Sequence, residues 1–233
     1  MKKYLFPLLI LIAILSGCST KSPSMITHVD QSDGRFDYIT GEALSDIKGV
    51  VSVREDGFRD QVSIKGKKFD LAIPSEISDK KLRLKVALKN GQKTILEIKL
   101  PKRAVIDSYD NFADRMNGTM NELDENTETR FPLTTNDGTF IAADENEVQT
   151  WIHVRDSKLV GLSMTAGAEA EEELAAIIVS FILSYEVNND KVYEAFNNFL
   201  DSGKTTTVTA SGYKFKFDHG DNRVTIDIIK SVD

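Results

Sequence analysis

Gln149, Trp151, His153 and Arg155 alternate with Val148, Thr150, Ile152 and Val154, the two-residue period of a β-strand. One face of that strand would carry Trp151, His153 and Arg155. Such a face suits a ligand or protein partner, with Trp151 as a stacking anchor and Arg155 as a charge clamp. The competing reading is structural: Trp151 packs under a helix and His153 is a satisfied sheet residue. Asp156-Ser157 can turn the chain into a second strand, placing Val160, Leu162 and Met164 beside His153, Trp151 and Gln149. Those apolar neighbours favour the structural reading.

Little else in the chain is arranged for chemistry. His28 stands near the start, and His219 lies between Asp218 and Asp221 in an expected hairpin loop. No two histidines have metal-ligand spacing, and one cysteine cannot form a zinc cluster or a disulfide. The acidic stretch from Asp137 to Glu147 lacks the ligand spacing of a calcium loop. No nucleophile elbow, phosphate loop or dinucleotide fingerprint occurs. A formal net charge of -7 argues against a nucleic-acid partner, whose recognition rests on dense positive charge. No catalytic residue, metal or cofactor is expected.

The first eighteen residues are more specific. Lys2 and Lys3 precede an apolar run from Tyr4 to Leu15, broken only by Pro7, and then comes Leu15-Ser16-Gly17-Cys18. The run is shorter than the ~20 residues that span a bilayer and has the layout of a secretory leader. The segment resembles the lipobox of bacterial lipoproteins: a Leu, two small residues and a Cys. The resemblance implies that the Cys18 sulfur receives a diacylglyceryl group and that cleavage before Cys18 removes residues 1–17. Two acyl chains hold stably where one holds marginally, at ~0.8 kcal/mol per buried methylene. Removing residues 1–17 takes away Lys2 and Lys3 and no acid, which moves the net charge from -7 to -9 over 216 residues. An acidic body is repelled by anionic headgroups, so the lipid should be the main membrane contact.

The elements beyond the leader fall into two groups. Residues 18–34 are polar and aperiodic and read as a tether. Strand patterns follow at 35–39, 47–53, 61–64, 68–73, 82–88 and 94–100. Asp56-Gly57, Lys65-Gly66, Pro74-Ser75 and Asn90-Gly91 punctuate them, the last as a type I′ hairpin candidate. Pro101-Lys102-Arg103 marks a boundary. Beyond it, Asp107-Ser108 can cap a helix to about Leu123, with Phe112, Met116 and Met120 on one face. Strands are expected at 128–133, 140–143, 148–154 and 159–164. Leu174, Ile177, Ile178, Phe181, Ile182 and Tyr185 then mark a buried helix, with Glu169 and Glu171 to Glu173 in its first turn. A second helix runs from Asp190 to about Leu200, closed by Gly203.

The last thirty residues read as a meander. Ser211-Gly212 as a two-residue turn places Ala210 opposite Tyr213 and Val208 opposite Phe215. His219 to Asn222 as a four-residue loop places Phe217 opposite Val224, Phe215 opposite Ile226 and Tyr213 opposite Ile228. An α-then-strands unit occurs twice, without sequence self-similarity to mark a duplication.

The expected fold is multi-domain: a small antiparallel β-sandwich at 35–101, followed by an α+β domain at 104–233 with a helix, strands, two helices and a three-strand antiparallel meander. The sandwich resembles bacterial immunoglobulin-like modules in architecture, without their Cys and Trp core. The expected role is a lipid-anchored, extracytoplasmic, non-catalytic binding or interaction module of the bacterial cell envelope. Its contacts would be the membrane, through the Cys18 anchor, and a protein or envelope partner. The rivals are an envelope hydrolase using carboxylate chemistry and a carrier of an apolar ligand.

Overall fold

The computed structural model describes residues 25–53, 60, 62–124, 130–145, 147–167, 170–220 and 223–231. They form a β-rich, multi-domain α+β fold of antiparallel sheets with three helices among the described residues. Among the described residues the first unit has seven strands: β1 (Met25–Asp30), β2 (Phe36–Ala43), β3 (Ile47–Val53), β4 (Ser63–Lys65), β5 (Lys68–Pro74), β6 (Lys80–Leu88) and β7 (Lys93–Leu100). They lie in a sheet ordered β1-β2-β5-β4 and another ordered β3-β6-β7. In β6 the period-2 pattern sends Leu82, Leu84, Val86 and Leu88 inward and leaves Lys81, Arg83 and Lys85 in solvent. Ile39, Phe69, Leu71 and Ile73 from the other sheet meet them in one apolar core. Burying each such side chain stabilises the fold by about 1.5–3 kcal/mol.

Two expectations for this unit are corrected. The polar tether at 18–34 does not extend over its described part, because Met25–Asp30 pairs along β2, from Met25 opposite Ala43 to Asp30 opposite Tyr38. An edge strand is held by its backbone bonds, and Ile26, Thr27 and His28 are exposed, so no alternation marked it. Residues 18–24, Cys18 included, lie outside the described residues. The Asn90-Gly91 hairpin is not type I′. Gly91 alone takes a positive φ, of 88°, and Leu88 N donates to Gln92 O at 2.9 Å, closing a three-residue loop.

The second unit contains β8 (Asp107–Ser108), α1 (Tyr109–Leu123), β9 (Gly138–Glu145), β10 (Val148–Arg155), β11 (Lys158–Gly167), α2 (Glu171–Ser184), α3 (Asn189–Ser202), β12 (Thr206–Ala210), β13 (Tyr213–Gly220) and β14 (Arg223–Lys230). The sheet runs β12-β13-β14-β11-β10-β9, with β8 also on β11. Three helices contribute to its core. Phe112 and Met116 of α1, Phe181 and Ile178 of α2, and Val192 and Phe199 of α3 join Ile152, Met164, Phe215, Phe217, Ile226 and Ile228. The Asn188 side chain caps α3 by accepting from Lys191 N, and Gly203 ends it at φ 62°.

Two more expectations change here. Residues 130–133 are not a strand. Phe131 is buried against Phe112, and its N–H and carbonyl both bond the Asn117 side chain, at 2.8 and 2.9 Å. Residues 128 and 129 lie outside the described residues, as do 56, 57, 61 and Glu169. In the meander, Ala210 faces Tyr213 and Val208 faces Phe215 as expected. The second hairpin is two residues longer in pairing: Phe217 faces Ile226, Phe215 faces Ile228, and pairing continues to Gly220 opposite Arg223. A shift of two keeps every side chain on its face, so the core residues are those expected. No helix among the described residues is long and apolar enough to cross a membrane.

Candidate functional site at the junction of the two units

Trp151, His153 and Arg155 do lie together, on the side of β10 where the first unit docks. His153 is fully buried, and both ring nitrogens have partners. Its Nε2 lies 2.7 Å from the Ser75 carbonyl and its Nδ1 lies 2.6 Å from the Thr139 hydroxyl. A carbonyl only accepts, so Nε2 carries the proton and Thr139 donates to Nδ1 in the neutral ring. Burial, first of all, holds the His153 pKa below its ordinary value. The Arg35 guanidinium stands 5.5 Å from the Trp151 ring, and Arg155 faces Glu76 across 3.8 Å. Apart from the Thr139 bond, these contacts are with the chain's own first unit, through Arg35, Ser75 and Glu76.

The expected neighbours of this face are displaced by one residue. Asp156 and Ser157, both at positive φ, make the two-residue turn, and Val154 faces Leu159. A bulge between His153 and Val154 then sets Gly161, Ser163 and Thr165 opposite His153, Trp151 and Gln149. Val160, Leu162 and Met164 are not those partners. Asp137 holds the turn, accepting from Asp156 N at 2.8 Å and Ser157 N at 3.1 Å, which lowers its pKa.

Gly161 matters because loop 31–35 crosses the sheet there. A Cβ on Gly161 would stand 1.8 Å from Gly34 O, and one on Gly34 would stand 2.3 Å from Leu162 O. Only hydrogen at both positions permits that approach.

Arg103 clasps the same loop from the other side. Its side chain is 4% exposed and that of Asp37 is 3% exposed, and they bond at 2.7 and 2.9 Å. Arg103 also donates to the carbonyls of Gln31, Asp33 and Phe36. Asp37 accepts further bonds from Ser75 Oγ at 3.0 Å and Gln31 Nε2 at 3.2 Å. A buried pair is tolerable when its remaining donors and acceptors are satisfied, as these largely are. Of the residues read as a domain boundary, Arg103 is thus buried beside the junction, while Pro101 and Lys102 are exposed.

Beside the clasp lies a polar recess of about 250 Å³, whose lining includes Asp30, Asp33, Tyr38, Lys216, His219 and Asp227. His219 is in a strand rather than a loop: it is exposed near the end of β13, pairs with Val224 and stacks on Phe199 at 4.6 Å. Asp33 is 8% exposed and accepts from Arg35 N at 2.6 Å, Phe36 N at 2.9 Å and the Tyr38 hydroxyl at 3.3 Å. Burial first, then the Asp33 carboxylate, push the Tyr38 hydroxyl up to about 12. Asp227, 3% exposed, accepts from Gly34 N at 3.2 Å. Burial first, then Asp33, push its carboxyl up to about 6. Two carboxyl groups with different surroundings are the raw material of acid–base chemistry. Here both are engaged in shaping loop 31–36, and the recess is smaller than the ~300 Å³ of ordinary ligand pockets.

Among the described residues no group of three or more His, Cys, Asp or Glu could hold a metal ion. Sequence reasoning missed Arg103, Asp37, Gly34, Gly161 and Asp227. The one signal was Asp227 itself, an acid flanked by Ile226, Ile228 and Ile229. No protein-family model and no curated protein matches the chain.

Proposed function

We propose that this chain is a lipid-anchored, extracytoplasmic lipoprotein of the bacterial cell envelope, acting as a non-catalytic interaction module. The observation that carries the proposal is Leu15-Ser16-Gly17-Cys18 at the end of a charged and then apolar leader, seven residues before β1 begins at Met25. Seven residues reach at most about 25 Å, so a body anchored at Cys18 stays close to the bilayer. The first unit serves as an immunoglobulin-like β-sandwich spacer; four strands and three strands closing on one core support that assignment. Loop 31–36, held by Arg103 and bonded through Gly34 N to Asp227, together with the His153 bond to the Ser75 carbonyl, ties the spacer to the α+β unit, which suits presentation of a surface at a fixed height.

The hydrolase reading has less support. Asp33 and Asp227, the paired acids of the recess, already accept backbone N–H groups. The carrier reading is likewise weaker, because Phe181 fills the space beneath α2 against Tyr185, Tyr213 and Phe215. The test is fractionation of cells producing wild type and Cys18→Ala. Wild type should sediment with membranes, and the variant should leave them or retain its leader. Unchanged partitioning with normal processing refutes the anchor.

A further inference from the structure

The end of the first unit that bears the tether has the opposite character from the junction. Register places Met25, the start of β1, opposite Ala43, the last residue of β2. Ala43 N bonds Lys67 O, Ile47 N bonds Gly66 O and Lys89 N bonds Asp46 O, so segments 42–48, 65–68 and 85–93 gather at that end. The acids of those segments, Glu42 and Asp46, are ion-paired to Lys68 and Lys89. Lys48, Lys65, Lys67, Lys85 and Lys93 are exposed and have no ion pair among the described residues. In a chain of net charge -7 this is a segregated cationic surface.

Apolar side chains stand among the lysines. Ile95 is 60% exposed and Val51 42%. On the outer face of the β3-β6-β7 sheet, an open groove of about 920 Å³ runs past Val51, Ala87 and Ile95, with Lys48, Lys85 and Lys93 beside it. Val51 pairs with Lys85, and Lys85 with Ile95, so the mixture is set by the ladder itself. Aliphatic groups between lysine stems suit the headgroup layer, where the apolar part inserts and the ammonium groups meet phosphate.

We propose that this tip docks on an anionic lipid surface through the β3-β6-β7 side, with Lys48, Lys85 and Lys93 meeting the headgroups and Ile95 and Val51 entering the interface. The orientation rests on the anchor reading, because a tether leaving at Met25 presents this end to the bilayer. The contact is distinct from the anchor, and it reverses the expectation that an acidic body is simply repelled: the charge is negative overall, but its distribution is polar.

The experiment uses residues 18–233 with Cys18→Ser, which retains every described residue and carries no lipid. Co-flotation is compared on vesicles of phosphatidylcholine alone and vesicles that include phosphatidylglycerol. The protein should float only with the anionic vesicles, and salt should release it. Neutralising Lys48, Lys85 and Lys93 together to Gln should weaken binding on the order of a hundredfold. The same change at Lys158, Lys191 and Lys204 of the second unit should leave it intact. Equal flotation on both vesicles, or insensitivity to the tip substitutions, overturns the proposal. So does release from anionic vesicles by excess polyglutamate with no release by matched salt, which assigns the face to an acidic polypeptide. Since no lipid is attached, the result stands apart from the fate of Cys18 in cells.

Discussion

The two ends of the first unit solve opposite problems with the same strands. At the junction end, where β2 starts and β5 finishes, Phe36 pairs with Pro74, and acids are drawn inward. Asp33, Asp37 and Asp227 are each nine-tenths or more buried, and each accepts hydrogen bonds. At the tether end the charges left without an ion pair among the described residues are exposed lysines. Buried, bonded charge fixes one geometry, because leaving a partner unmatched is costly. Exposed, unmatched charge adds little to stability and is available to something outside the molecule. The contrast assigns the junction to architecture and the tip to contact.

That contrast can be broken most severely at Arg103. Arg103→Ala leaves Asp37 buried without its cation and should cost about 3–5 kcal/mol in urea unfolding. A loss below about 1 kcal/mol would mean the clasp is decorative. Gly161→Ala comes next: its methyl meets the Gly34 carbonyl, and forcing loop and sheet apart should cost about 1–3 kcal/mol. Unchanged unfolding would show that the loop does not lie against the sheet.

Asp227→Asn should act in the other direction. A carboxyl whose pKa rises from 3.8 to about 6 on folding favours the folded state below about pH 4, and that contribution is lost as pH rises through about 6. The amide keeps the acceptor for Gly34 N without a buried charge. The variant should therefore be more stable than wild type by about 1–3 kcal/mol at pH 7, with the gain fading below pH 4. His153 has the opposite sense. Its folded pKa is lowered, so the unfolded chain binds the proton more readily and stability falls as pH drops below about 6.5. His153→Gln should flatten that decline. The smallest effect sharpens the comparison: Lys48, Lys85 and Lys93 changed together to Gln should alter unfolding by less than about 0.5 kcal/mol.

Periodicity made the interior legible and left the junction hidden. The helices were readable because Phe112, Met116 and Met120, and the run from Leu174 to Tyr185, repeat with the helical turn. The register from Ala210 to Tyr213 was readable because Ser211-Gly212 admits a two-residue turn and both faces are distinct. The second hairpin slipped by two residues because such a shift changes no face and so leaves no trace in the pattern. The slip at His153 has a different cause. A bulge adds one residue without altering composition, so Gly161 could not be recognised as the partner of His153. β1 was invisible because an edge strand is held by backbone bonds. Arg103 followed a proline and looked like linker, because its partner Asp37 is 66 residues away in sequence.

The central claim is that the molecule is held at a membrane through its tether and meets the surface with the lysine-bearing end. The most direct measurement is the intact mass of the native protein recovered from membranes. The account predicts a chain that begins at Cys18 and carries a diacylglyceryl group on sulfur. A free thiol at Cys18, or a chain that still begins at Met1, would contradict it.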